Sequence, residues 1–257
     1  MYVTLNYTIE DSIAVVELNR PHRLNAIDPD MRRELPDALR QANEAAEVRA
    51  IMITGAGKGF CAGADLGGKP PENASAGDAL QLVGGFIEVF SAIDKPMVAA
   101  VNGAAAGVGL SIALACDIRV ASTASKYSAI WVRRGLVADG GASLLLPTVI
   151  GMERALELTL TGKMISAADA KEYGLVSRVV EPEELVPAAM DLCREIATQP
   201  PIAVALVKRI MLERLRRDFR ESLLLETYAQ HVCRGTEDHK EAVCAFVEKR
   251  DAEFVGR

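Results

Sequence analysis

Between Lys95 and Asp117 the chain runs for 21 residues without a charge, "PMVAAVNGAAAGVGLSIALAC". That length suffices in principle to cross a bilayer, so the segment forces a choice. Its content decides the matter. Pro96, Asn102, Gly103, Gly107 and Gly109 break it into a buried strand, a glycine turn and a buried helix. Elements that are apolar all round need cover on both faces, which a layered α/β protein provides. With 257 residues, half of them hydrophobic, the chain is large enough to build such layers.

The rest of the sequence fits that frame. "YVTLNYTI" and "SIAVVELN" alternate at period two and pair across "EDS" as an opening hairpin. In "DPDMRRELPDALRQANEAAE", Asp28 is placed to cap a helix, Pro29 suits its first position, and Met31, Leu35, Leu39 and Ala42 make one apolar face. Pro36 is expected to kink it. "RAIMITG" and "KPMVAAVNG" read as buried strands, "IRVAS" and "SKYSAIW" as further strands, and "ALQLVGGFIEVFSAI" as a helix. The glycine-rich stretch "AGKGFCAGADLGGKPPENASAGD" is a long loop of the kind that carries function. From about Gly151 the pattern is helical, through "PIAVALVKRIMLERLRRDF", "RESLLLETYAQHVCRG" and "TEDHKEAVCAFVEKRDAEF". Residues 1–200 are therefore expected to form an α/β core and residues 201–257 a helical region.

Charge and cysteine content narrow the functional classes. The net charge is −6 and the 29 basic residues are scattered, so no nucleic-acid footprint is present. Five cysteines form no CxxC pair and three histidines lack ligand spacing, so no metal site is expected and reduced thiols suit a cytoplasmic compartment. The first residues alternate like a strand, and neither a secretion signal nor a membrane anchor is expected.

Three features carry candidate chemistry. "FCAGADL" at 60–66 and "NGAAAGVGLS" at 102–111 each put glycines after a buried strand. Two readings are open: close packing of small residues, or outward amides that share one oxygen as an oxyanion hole, each donor contributing about 3–4 kcal/mol. Neither stretch meets the Walker or dinucleotide fingerprint. The third feature is Asp139 in "RRGLVADGGASLLLP", a lone acid among apolar residues. It caps the following helix, or it is a general base whose proton affinity is raised by burial.

"NRPHRLNAID", "MITGAGKGFCAGADL", "KPMVAAVNGAAAGVGLSIALACDIRVAS", "LTGKMISAADAKEYGLVSRVV" and "AFVEKRDAEF" succeed one another in the order found in the enoyl-CoA hydratase/isomerase, or crotonase, superfamily, which the whole chain resembles. The resemblance implies a spiral of ββα units with a C-terminal helical trimerisation region, assembled as a homotrimer or dimer of trimers. It also implies an acyl-CoA thioester substrate, with no cofactor beyond the coenzyme A that the substrate carries. By position, the amides of Ala64 and Val108 become the oxyanion donors. Coenzyme A contacts fall on His22, Arg23 and Leu24, on Asp65 and Leu66 beside Ala64, and on Phe246 and Lys249 near the C-terminus. A lysine common just after this stretch in the superfamily is replaced here by Gly67, with Lys69 nearby.

The departures from the superfamily are as informative. Hydratases use two glutamates, and the matching positions are Ser111 and Trp131, neither able to serve as a carboxylate base. "GLVADGGASLLLP" resembles instead the phenylacetate-pathway ring-opening isomerases, which rely on an aspartate at the position of Asp139. Trp131 then lines the acyl pocket. The resemblance favours isomerisation with Asp139 as the single base. The alternatives are a hydratase of atypical mechanism, an aryl-CoA dehalogenase in which Asp139 attacks as a nucleophile, and a catalytically idle binding protein. Dehalogenases share the Trp-Asp spacing of Trp131 and Asp139 but require a histidine where Gly84 stands.

Overall fold

The computed structural model describes residues 2–65 and 85–257. It opens on the expected hairpin: β1 (Leu5–Glu10) and β2 (Ile13–Leu18) pair antiparallel around Asp11 and Ser12, both at positive φ. The chain then lays strands alternately into two sheets. β3 (Ala50–Gly55), β5 (Met97–Val101) and β7 (Ile118–Ser122) enter a six-stranded sheet of order β1-β2-β3-β5-β7-β10, β10 being Arg178–Val180. Each is succeeded by a short strand of a second sheet, namely β4 (Gly59–Cys61), β6 (Ala104–Ala106) and β8 (Lys126–Ser128), with β9 (Met164–Ser166) at its edge. Helices come next, so strand, strand and helix repeat as a spiral of ββα units.

Nine α-helices occur among the described residues: α1 (Pro29–Glu44), α2 (Glu88–Ala92), α3 (Val108–Ala115), α4 (Ala142–Ile150), α5 (Met152–Thr161), α6 (Ala167–Glu172), α7 (Leu185–Ala197), α8 (Pro201–Arg234) and α9 (Glu237–Glu248). The uncharged segment supplies β5, β6 and α3, all buried as their composition demands. Alternation within β3 shows the layering. Ile51 and Ile53 face the main core, which holds Leu35, Leu39 and Phe60, while Ala50 and Met52 face Leu185, Ala189 and Cys193 of α7. No helix among the described residues is long and apolar enough to cross a membrane.

Helix α1 carries the Asp28 cap, with the Met31 amide donating to Oδ1 at 2.8 Å, and it continues through Pro36 as one element. Pro36 is buried against the core there, and packing outweighs its missing amide. Two sequence expectations, at Trp131 and along the C-terminal helix, are corrected. "SKYSAIW" is a strand only to Ser128. Ile130–Arg134 forms a 3₁₀ turn closed by Gly135 at positive φ, and Trp131 sits on that turn. The two C-terminal stretches from Pro201 are one 34-residue helix, since neither glycine nor an internal proline interrupts residues 202–234.

Candidate active site

Parallel pairing in the small sheet sets the site. The register Cys61↔Ala105 and Ala106↔Ser128 brings the C-terminal ends of β4, β6 and β8 side by side. The segments that leave those strand ends are thereby gathered in one place: Gly63 and Ala64, Gly107 and Val108, and the 130–134 turn. Gly63 adopts φ +109° and Gly107 φ +53°, left-handed conformations that glycine enters at little cost. A Cβ on Gly107 would lie 4.0 Å from the Gly63 Cα and 3.8 Å from Trp131 Nε1, so the turns and the indole adjoin. Gly109 differs in role, because a Cβ there would fall 2.0 Å from the Cys61 carbonyl oxygen, and close packing of α3 on β4 requires the glycine. Packing thus accounts for Gly109, while Gly63 and Gly107 shape the turns.

The orientation of the two amides is set by their neighbours. Ile27 donates to Gly63 O at 2.8 Å and accepts from the Asp65 amide at 2.9 Å, which leaves the Ala64 amide directed away from residue 27. Val108 opens α3, where the first amides have no partner within the helix, and Leu110 and Ser111 fold back onto Gly107 O. Among the described residues neither the Ala64 nor the Val108 amide has a backbone partner.

Asp139 lies beside these turns and is not a helix cap. The N-cap of α4 is Gly141, at φ +79°, and no side chain of the local sequence caps it. Glu226 of α8 does so from a distance: it accepts from the Gly141 amide at 2.8 Å, the Ser143 amide at 3.0 Å and the Ser143 hydroxyl at 2.5 Å. The Asp139 carboxylate accepts from Trp131 Nε1 at 2.9 Å on one oxygen and from Gln230 Nε2 at 3.0 Å on the other. Ser111 donates its hydroxyl to the Asp139 carbonyl at 2.7 Å. Burial pushes the Asp139 carboxyl up to about 7; the Trp131 bond opposes this, the Glu226 charge adds to it, and the Arg32 and Arg234 charges oppose it. Burial also raises Glu226, against the hydrogen bonds from Ser143 and Gly141.

The other expected positions are spread around this centre. His22 and Arg23 are exposed on a 3₁₀ turn, and Leu24 comes next at φ 49°, also exposed. Fully buried Asn25 anchors that turn, donating to Gly59 O and Ala56 O and accepting from the Arg20 amide. The Asp65 carboxylate is bound to Arg20 at 2.9 Å, and Arg20 also meets Asp28 at 3.0 Å, so Asp65 braces the turn. Phe246 is exposed on α9 with the Arg134 guanidinium 3.9 Å over its ring, and Lys249 closes that helix at φ 57°. Leu66, Gly67, Lys69 and Gly84 lie outside the described residues. Glu226 and Gln230 escape the sequence reading. They lie on a buried stripe with Phe219 and Leu223, but polar residues in an amphipathic helix give no sign of facing inward.

The sequence pattern of the enoyl-CoA hydratase/isomerase family matches residues 8–257. The 1,2-epoxyphenylacetyl-CoA isomerase of Escherichia coli strain K12 is 34% identical over 254 residues, covering 97% of each chain. The short-chain-enoyl-CoA hydratase of Clostridium acetobutylicum is 37% identical over 246 residues, 95% of this chain and 94% of that one. A crystal structure of an enoyl-CoA hydratase/isomerase from Pseudoalteromonas atlantica T6c superposes with a TM-score of 0.91 at 31% identity, covering 98% of this chain and all of the other. The chain belongs to the enoyl-CoA hydratase/isomerase family and has the crotonase fold.

Proposed function

We propose that this protein isomerises an unsaturated acyl-CoA thioester, with Asp139 as its single general base and the Ala64 and Val108 amides as oxyanion donors. The observation that carries the reading is the Asp139 carboxyl beside the two glycine turns, held by Trp131, raised by burial to about 7, and neighboured by Ser111, whose hydroxyl donates to the Asp139 carbonyl. The Asp139 carboxylate takes a proton from the acyl chain, and the electron pair moves toward the thioester oxygen, where two amides meet the developing charge. The protonated Asp139 then returns the proton at another carbon. Electrons shift back, the double bond has moved, and the base is regenerated.

Trp131 lines the acyl pocket and fixes one oxygen of the base. His22, Arg23, Leu24, Asp65, Leu66, Phe246 and Lys249 form the coenzyme A side of the site, and no further cofactor takes part. Residues 201–257 join copies of the chain as a trimer or dimer of trimers, which the exposed Ile202, Ile210, Met211 and Tyr228 support.

The test is incubation of enoyl-, dienoyl- and cyclic acyl-CoA thioesters in deuterated water, read by mass spectrometry. Deuterium uptake with a shifted double bond is expected, and Asp139→Asn lowers it about 10²- to 10⁴-fold while folding is intact. Full turnover in Asp139→Asn overturns the assignment of the base. A product heavier by one water assigns a hydratase, as the Clostridium relative is named.

A further inference from the structure

Helix α8 reaches the Asp139 loop at two residues to which the proposed reaction assigns no part. Glu226 and Gln230 stand one helical turn apart, 3% and 0% exposed, on the face turned toward residues 137–143. Gln230 directs its amide at two acceptors, Val137 O at 2.8 Å and Asp139 Oδ2 at 3.0 Å. Its carbonyl oxygen is buried without a partner among the described residues, so the side chain acts here as a donor alone. Burying an acceptor unpaired is unfavourable, and the site keeps it while both donor contacts are made. Glu226 meanwhile holds Gly141 and Ser143, just beyond the aspartate.

We infer that Gln230, one helical turn from the Glu226 brace, is a positioning residue of Asp139: it fixes Oδ2 while Trp131 fixes Oδ1, so that both carboxylate oxygens are aimed from outside the loop that carries them. The inference rests on the reading of Asp139 as the base. A carboxylate gripped at both oxygens cannot rotate about its terminal torsion without losing a donor. Donation also favours the ionised form, the form that a base needs. Deleting the Gln230 donor therefore acts on geometry and on protonation together. The charged groups around the carboxyl are Glu226 and Arg234 on α8 and Arg32 on α1. Changing Gln230 to another neutral residue leaves all three in place.

The experiment titrates Asp139 directly in the full-length protein without substrate, by carbon-13 NMR of carboxyl-labelled aspartate, its signal assigned by its loss in Asp139→Asn. In the unaltered protein the midpoint is expected at about 7. Gln230→Met keeps the shape of the side chain without a donor, and the midpoint moves up by about one unit. Gln230→Glu retains size and helix propensity, turns a donor into a second acid, and moves it further up. In turnover assays with a 3-enoyl-CoA thioester both variants lose about 10- to 100-fold in kcat with KM within about twofold. A purely structural role predicts a lower Tm and an unmoved midpoint, and that result in either folded variant overturns the inference. Absence of isomerase turnover in the unaltered protein instead overturns the proposed reaction and leaves the titration result standing.

Discussion

The turns that present Ala64 and Val108 and the pocket that holds Asp139 sit side by side but are assembled differently. Each turn is made by a glycine directly before the amide it directs, and the backbone alone does the work. The Asp139 pocket instead draws on partners 8, 28 and 91 residues away, through Trp131, Ser111 and Gln230. The difference teaches that two halves of one site answer to different kinds of change. A turn fails when its own dihedral angles are disturbed, and its failure has no charge to report it. The pocket alters when any of several distant side chains moves, and the proton affinity of one carboxyl registers each alteration.

Substitution at a turn tests the separation most severely. Gly107→Ala places a Cβ at φ +53°, displaces the Val108 amide, and is expected to lower kcat/KM about 10²- to 10³-fold. The loss should be equal at every pH, with circular dichroism unchanged. A moved midpoint in the pH–rate profile of this variant would break the comparison by showing that the turn also governs the acid.

Acidity gives the next largest effect, with opposite signs in two measurements. With Asp139 as the proposed base, which acts in its ionised form, kcat/KM is expected to rise with pH through about 7. Its carboxyl binds a proton more tightly in the folded protein than in the unfolded chain, where its value is about 4. This group's penalty on folding is therefore absent below about pH 4, grows between, and is complete above about 7. Thermal unfolding at several pH values should show that component of stability falling as pH rises, and Asp139→Asn should remove it. An unchanged pH dependence of Tm in Asp139→Asn contradicts the assignment.

The smallest effect belongs to the periphery, where neither region is touched. Phe246→Leu removes the face beneath the Arg134 guanidinium, an interaction of about 0.5–1 kcal/mol at an exposed site. KM for an acyl-CoA should rise about two- to fivefold with kcat constant. A fall in kcat would tie α9 to the chemistry and sharpen the boundary between the two regions.

Legibility in the sequence obeys the same division. The hairpin, the Asp28 cap, strands β3 and β5 and the glycine turns depend on residues adjacent in the chain, and local pattern reveals them. Asp139 before a pair of glycines looks equally like a cap and a base, because a cap is local and the true anion over α4 comes from Glu226, 85 residues beyond Gly141. The fold of the whole chain is legible because motif order along the chain mirrors the winding of the spiral. The 3₁₀ turn at Trp131 and the unbroken length of α8 are less so, since tertiary packing and not propensity sets where such elements start and end.

Helix α8 can finally be regarded as a tie-rod. Its 34 residues span about 50 Å. Near one end, buried Lys208 is fastened to Asp117 at 2.7 Å and to the Lys95 carbonyl at 2.8 Å; further along, Glu226 and Gln230 grip the Asp139 loop. The rod thus spans from the C-terminal end of α3, whose first residue is Val108, to the loop that carries the acid. A chain cut between Lys208 and Glu226 would retain every residue of both glycine turns and Asp139 itself, yet its carboxylate would be held by Trp131 alone, at one oxygen, beside an intact pair of amides.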